Sequence, residues 1–137
     1  MDVFDLPFNK YVGLEQASES GFLLMLHDRK EYLNHLGTVH ASALFALAEA
    51  TSGFFLLGEF GETDDMLPVV RKVETKYKKP ARGVIFSKAC FVNTDKVKIA
   101  EALNTKKRDL ITVRVSLYDT EQNQVMQSDF EWFVARR

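Results

Sequence analysis

The sequence has few of the features that mark secreted, multidomain or disordered chains. Cys90 is its single cysteine, so an intrachain disulfide is excluded, and this fits a reducing, cytoplasmic compartment. The 137 residues hold only three prolines and seven glycines, and no stretch gathers them into a linker or a repeat. The first basic residue is Lys10, so the basic start and apolar run of a signal peptide are missing. We therefore expect a single domain over residues 1–137.

The chain also has no large excess of positive or negative charge. The formal net charge is −1, which gives no bulk electrostatic reason to expect nucleic acid or an anionic membrane as a partner. Hydrophobic residues make up 46% and charged residues 27%, the composition of an ordinary globular chain. A chain of this length buries about two-thirds of its unfolded surface, which is enough for a proper core.

One long apolar segment is present, and it contains a single charge. From Val39 to Gly58 only Glu49 is formally charged, and the segment is rich in alanine and leucine without β-branched runs, which predicts a helix. The length of about 20 residues is also that of a membrane span. Glu49 and His40 argue against that alternative, because a central acid is costly in lipid.

The rest of the chain predicts mainly strands. Residues 21–28, 68–83 and 84–92 are strand-like, and 110–119 pairs with 124–136 in a hairpin across 120–123. Alternation predicts the inward residues Ile111, Val113, Val115, Leu117, Met126, Ser128, Phe130, Trp132 and Val134, and places Val69, Arg71, Val73, Thr75 and Tyr77 on one face of their strand. Residues 4–18 predict a short helix that packs Phe4, Leu6, Phe8, Tyr11 and Val12. Residues 58–67 predict a loop, and 93–109 a helical turn or long connection.

This order of elements predicts an α+β fold, with an antiparallel sheet of five to six strands wrapped around one long central helix. The connections between the later strands are too short for crossover helices, except in 93–109. A helix that is apolar all round must be covered all round, and one sheet covers one side. A second copy of the chain is the simplest cover for the other side, so we expect a homodimer or a dimer of dimers.

The start of the long helix predicts a site. The amides of Ala41 and Ser42 are among the donors that lack an acceptor within the helix, and the helix dipole favours negative charge there. Glu49 lies eight residues beyond Ala41, about 12 Å along the axis. One helix therefore cannot bring both groups to one reacting atom, whereas two antiparallel copies can.

These residues resemble a known family. The pattern Asn34-x-x-Gly37-x-x-His40, followed by a helix with Leu-Ala-Glu49, resembles the acyl-CoA thioesterases of the hotdog fold, in particular the PaaI-like group. The strand "YKKPARG" is also similar, and the resemblance covers roughly residues 20–136. The family's two glycines after the histidine are Ala41 and Ser42 here, which narrows the approach of a thioester to the helix end.

The resemblance implies the hotdog fold and a thioester hydrolase, with an acyl-CoA or acyl-carrier-protein substrate and no metal or cofactor. It implies that Glu49 is a general base for water or a nucleophile, and that Asn34 orients water or substrate. His40 would cap the helix, and the Ala41 amide would hold the thioester oxygen. Two alternatives stay open: a non-catalytic hotdog protein that binds acyl-thioesters or lipids, and a hotdog hydratase or dehydratase.

Three other groups of residues give weaker predictions of function. Lys78, Lys79 and Arg82 form part of a basic stripe that either is a solvated face or meets the phosphates of CoA. Cys90 is predicted to be a buried, inert thiol in a strand. Glu62, Asp64 and Asp65 lack the spacing of a calcium-binding EF-hand loop and are expected to be solvated.

Overall fold

The apolar segment is the central helix of a sheet-wrapped fold. A computed structural model describes residues 2–60 and 65–137. In chain order the elements are a 3-10 turn (Val3–Asp5), α1 (Pro7–Val12), β1 (Glu15–Gln16), β2 (Leu24–Leu26), a 3-10 turn (Lys30–Tyr32), α2 (Ala41–Phe60), β3 (Met66–Tyr77), β4 (Ile85–Phe91), α3 (Lys96–Thr105), β5 (Arg108–Tyr118) and β6 (Gln124–Arg136). This is the α+β architecture that the sequence predicts.

The strands form one six-stranded sheet in the order β1-β2-β4-β5-β6-β3, and every neighbouring pair is antiparallel. The predicted hairpin is confirmed as β5 and β6. All nine of its predicted inward residues are buried, and most of them are completely so. Each large apolar side chain among them contributes about 1.5–3 kcal/mol by leaving water, so the hairpin anchors α2 to the sheet.

The predicted alternation of β3 is wrong at its start. The pairing with β6 shifts between Val70 and Lys72, so Arg71 is an extra residue in this strand. The bulge turns Val70 toward the core and leaves Val69 59% exposed. Beyond it, Val73 and Thr75 are on the inner face as expected, and Thr75 shares a hydrogen bond with Ser128 at 2.7 Å. A bulge of one residue reverses the faces of everything before it.

The helix α2 runs from Ala41 to Phe60, two residues later at each end than the apolar run suggests. By length and hydropathy it is the single described helix that could cross a membrane. It is instead the core helix of this fold, because nine of its residues are buried and it packs on β4, β5 and β6. The predicted 58–67 loop is partly helix, and its residues 61–64 lie outside the described residues.

The N-terminal segment, residues 2–12, covers part of the helix face that the sheet leaves open. Phe4 packs edge-on against Phe54 of α2, with ring centroids 5.6 Å apart. The prediction that all its apolar side chains pack is wrong, because Phe8 is 65% and Tyr11 81% exposed. The segment ends where Gly13 takes a left-handed conformation (φ 86°) and the chain turns into β1.

One further prediction fails on the outer face of the sheet. Cys90 lies on β4 with its thiol exposed, because the strand turns Ile85 and Ser87 inward at the start and leaves Lys88 and Cys90 outside.

Candidate functional site

The start of α2 is capped by a histidine ring. The Ser42 amide donates to Nδ1 of His40 at 2.9 Å, and the amides of Ala43 and Leu44 donate to the His40 carbonyl. His40 is held in turn by its own amide, which donates to the Tyr32 carbonyl at 2.7 Å. His40 therefore occupies the N-cap position, and its ring satisfies a backbone donor that the helix itself cannot.

This cap leaves one amide open. Within residues 2–60 and 65–137, the Ala41 amide donates no hydrogen bond. The residue is exposed and lines the pocket beside the helix start. The helix dipole adds partial positive charge at this end. The Ser42 amide is occupied by the His40 ring. Of the two amides that the sequence suggests, only that of Ala41 can therefore donate to an oxygen that gains negative charge.

Asn34 shapes the loop that leads to this cap. Its side-chain oxygen accepts from the amides of Leu36 and Thr38, and its amide donates to the Thr38 hydroxyl at 2.9 Å. Gly37 takes a left-handed conformation (φ 73°) inside the loop, which its lack of a side chain permits. The amide group of Asn34 has a second hydrogen that these contacts leave available.

A pocket of about 430 Å³ opens beside the helix start. We call it the helix-start pocket; its lining includes Asn34, Leu36, Thr38, Val39, Ala41, Leu44, Tyr77, Lys78, Lys79, Pro80, Ala81 and Arg82. Pro80 and the residues around it bring three cations to one rim. Lys78 contacts Gln124 and Lys79 contacts Asn123, while Arg82 reaches the Gly37 carbonyl. Among the described residues none of the three forms an ion pair, so Lys78 and Arg82 are available to an anion, while Lys79 also interacts electrostatically with the Asp119 carboxylate.

Glu49 lies in a different place. It lines an apolar cavity of about 200 Å³, the Glu49 recess, with Val3, Leu6, Asn9, Ala50, Gly53, Leu56, Leu57, Pro68 and Trp132. The residue keeps access to solvent, yet burial raises the pKa of its carboxyl. Its carboxylate has no hydrogen-bond or ion-pair partner in the described part of the chain. A carboxylate in such surroundings is a stronger base than one in water.

A third opening lies along the first half of the same helix. The aromatic groove, about 570 Å³, is lined by Phe8, Tyr11, Val12, Arg29, Glu31, Tyr32, Leu33, His40, Ser42, Ala43 and Ala46. Ser42, Ala46, Glu49 and Gly53 follow one another at helical spacing, so this groove and the Glu49 recess lie on one stripe of α2.

Within one protomer, therefore, the predicted site residues lie in three separate openings. Asn34 and Ala41 share the helix-start pocket with Lys78, Lys79 and Arg82. His40 and Ser42 border the adjoining groove, and Glu49 lies about 12 Å from Ala41 along the axis. Glu49 and Ala41 are therefore separated along the helix, as expected from the sequence. The dimer geometry that would bring Glu49 of one copy to Ala41 of the other stays a prediction.

The sequence does not reveal the residues that surround Glu49. Val3 and Leu6 come from the N-terminal segment, Pro68 from β3 and Trp132 from β6. No local pattern links these positions, because only the wrapped sheet brings them together. The alternation that predicts Trp132 to face inward was the one available signal.

No metal site is evident in the described ranges, where no three histidine, cysteine, aspartate or glutamate side chains cluster. Asp65 pairs with Arg136, and Glu62 and Asp64 lie outside the described residues.

The six-stranded antiparallel sheet around one long helix is the hotdog fold, as the resemblance implies. A sequence model of the family described as "Domain of unknown function (DUF4442)" matches residues 15–134, and the chain belongs to this family. Comparison with curated proteins by sequence found no match.

Solved structures share this fold at low sequence identity. A Pseudomonas aeruginosa protein of unknown function, described as a probable thioesterase, has 21% identity and a TM-score of 0.81, covering 98% of this chain and 91% of that one. A Bacillus halodurans protein crystallised with CoA has 19% identity and a TM-score of 0.68 over 93% and 74% of the two chains. The E. coli PaaI protein of the phenylacetic acid degradation operon has 14% identity and a TM-score of 0.69 over 97% and 86%. At these identities the likeness establishes the fold.

Proposed function

We propose that the protein is an acyl-CoA or acyl-carrier-protein thioesterase that acts as a homodimer, or as a dimer of dimers, in the cytoplasm. One observation carries the proposal: an unpartnered carboxylate stands in an apolar recess, on the same helix as an open N-terminal amide that it cannot reach. Antiparallel pairing of two α2 helices brings Glu49 of one protomer to Ala41 of the other. The dimer then has two equivalent sites, as a two-fold interface requires.

The chemistry follows from these two groups and needs no metal or cofactor. Glu49 takes a proton from water, and the resulting hydroxide oxygen forms a bond with the thioester carbonyl carbon. The Ala41 amide stabilises the negative charge that moves onto the carbonyl oxygen. The C–S bond then breaks, the leaving thiolate takes the proton from Glu49, and free acid and thiol remain. As a nucleophile, Glu49 would act from the same position through an anhydride.

The cations of the helix-start pocket suit the rest of the substrate. Lys78, Lys79 and Arg82 stand on the pocket that Ala41 also lines, and none of them forms an ion pair among the described residues, although the Asp119 carboxylate is close enough to Lys79 to interact with it. Phosphate groups of CoA, or of a carrier-protein prosthetic group, are the complementary anions. The CoA in the Bacillus halodurans structure supports a nucleotide thioester as the substrate class.

The test is Glu49→Gln, which keeps the shape of the side chain and removes its basicity. Because a general base contributes about 10²–10⁴-fold, we expect kcat for the best substrate in a screen of short, long and aromatic acyl-CoAs to fall by about that factor. Released thiol is measured with a chromogenic disulfide. Glu59→Gln removes the same charge from the same helix and is the matched control, with an expected change below about threefold. Near wild-type turnover by pure Glu49→Gln would refute the mechanism.

Binding without turnover is the second candidate, and Asn34 is the observation that favours it. Its carbonyl is committed to two loop amides, and only part of its amide group remains for water or substrate. A protein that binds an acyl thioester but releases no thiol would fit this reading. The hydratase or dehydratase alternative is separated by product analysis, since it yields a hydrated or dehydrated acyl-CoA rather than free CoA.

A further inference from the structure

We propose that the Glu49 recess binds the acyl group, that it accepts an uncharged group of about six carbon atoms or one ring, and that Gly53 sets this limit. This inference rests on the proposed thioesterase function. The recess lies beside the carboxylate that would activate water, so an acyl group inside it has its carbonyl at the mouth. CoA would extend the other way, across the partner's helix start.

The size and lining of the recess define the acyl group. Its volume is about 200 Å³, and its walls include Val3, Leu6, Leu57, Pro68 and Trp132. An apolar cavity of about 150 Å³ is large enough to bind benzene. A group of six carbons or one ring therefore fills this recess, and a much longer chain does not fit within it.

The polar atoms around the recess are already occupied, with one exception. The Asn9 amide donates to the Val3 carbonyl at 2.9 Å and fixes the N-terminal wall. The Trp132 indole donates to the Ser52 hydroxyl at 3.2 Å, and that hydroxyl donates to the Glu49 carbonyl at 2.7 Å. The Glu49 carboxylate is the polar group left without a partner. It repels a second carboxylate, so the acyl group that fits is uncharged.

Gly53 lines the recess, and because glycine has no side chain, the space that a side chain would fill there belongs to the recess. Glycine inside a helix is less stable than alanine. A Cβ built on Gly53 would be 3.6 Å from the Trp132 ring and 3.9 Å from Val3, which are ordinary contacts. Close packing therefore does not demand glycine here. What the missing side chain provides is the open space between α2, Trp132 and Val3.

The experiment fills this space and compares substrates. Gly53→Leu and the milder Gly53→Ala are tested with acetyl-, hexanoyl- and dodecanoyl-CoA, with released thiol as the readout. We expect wild type to prefer hexanoyl- to dodecanoyl-CoA by at least about tenfold, since each misfitting methylene in a pocket costs about 10–200-fold. Gly53→Leu should lower kcat/KM for hexanoyl-CoA by at least about tenfold and for acetyl-CoA by less than about threefold.

Gly58→Leu is the matched control, because Gly58 is on the same helix and a Cβ there meets nothing within 4 Å. It should leave all three rates unchanged, and circular dichroism shows whether each variant is folded. If Gly53→Leu is unfolded, the same selective loss in Gly53→Ala, smaller in size, decides the question.

The possible failures can be told apart. If wild type prefers dodecanoyl-CoA, or if the Gly53 variants lower kcat/KM for all substrates equally, the recess is not the acyl site. Either result is still compatible with a thioesterase. A wild type that hydrolyses none of the three, and none of the aromatic acyl-CoAs in the screen described above, contradicts the thioesterase. Calorimetric titration with hexanoyl-CoA then tests whether the recess binds the acyl group. Tighter binding by wild type than by Gly53→Leu supports this role of the recess, and equal binding overturns it.

Discussion

At the scale of single residues, Glu49 combines two properties that rarely occur together. The residue is accessible to solvent, and yet burial raises the pKa of its carboxyl because the walls of the recess are apolar. A group placed for stability alone would be paired or fully solvated. The arrangement costs folding energy at neutral pH and makes this carboxylate more basic than one in water.

This cost gives a pH-dependent prediction for stability. Below the ordinary pKa of 4.5 both folded and unfolded chains hold the Glu49 proton, and the residue costs nothing. As pH rises, the unfolded chain ionises first, so stability is lost until pH passes the raised pKa of the folded state. Glu49→Gln avoids this loss, and we expect the excess of its Tm over that of wild type to grow as pH rises above about 4.5 and to level off once pH passes the raised pKa. Calorimetric scans between about pH 4 and pH 8 measure it, and a difference that stays constant with pH would contradict the raised pKa.

At the scale of elements, the start of α2 depends on one side chain outside the helix. The His40 ring satisfies the Ser42 amide and borders the aromatic groove. The loop before it is fixed by Asn34, and the Ala41 amide is left open as a consequence. The cap therefore decides which backbone donor is available for chemistry.

The cap can be tested by replacing its acceptor. We expect His40→Ala to lower the free energy of unfolding by about 1 kcal/mol, because an N-cap acceptor is worth about 0.5–2 kcal/mol. His40→Asn restores an acceptor at the same position and should recover most of that loss. Urea denaturation monitored by circular dichroism measures both. Equal stability of His40→Ala and wild type would show that the cap contributes nothing.

Elements were predictable where local patterns decide them. All nine residues that alternation in β5 and β6 predicts to face inward are buried, because both strands are long and have one buried face. It fails in β3, because the extra residue Arg71 is defined only by pairing with β6. The separation of Glu49 from Ala41 also follows from helix geometry alone. The recess does not, since its walls come from four distant parts of the chain.

At the scale of the whole molecule, two parts of the same chain cover the central helix, and they cover it unequally. The sheet covers one side and the N-terminal segment covers part of the other, so less of the helix is left for a second copy than its apolar sequence suggests. The N-terminal segment also adds apolar surface of its own. Phe8 and Tyr11 project from α1 into the aromatic groove, beside His40 and Ser42.

This placement predicts that Phe8 and Tyr11 are part of the dimer interface. In the proposed dimer the partner's Glu49 approaches the start of α2, and the aromatic groove lies on that approach. Buried aromatic side chains carry much of the energy of an interface, so Phe8→Ser combined with Tyr11→Ser should raise the dimer dissociation constant at least about tenfold. Analytical ultracentrifugation over a concentration series measures the shift. Val97→Ser, which removes a 76% exposed apolar side chain from α3, is the control and should leave the dimer intact. The proposed shared site takes Glu49 from one copy and Ala41 from the other, so turnover should fall with the dimer fraction; monomers with full activity would refute the shared site.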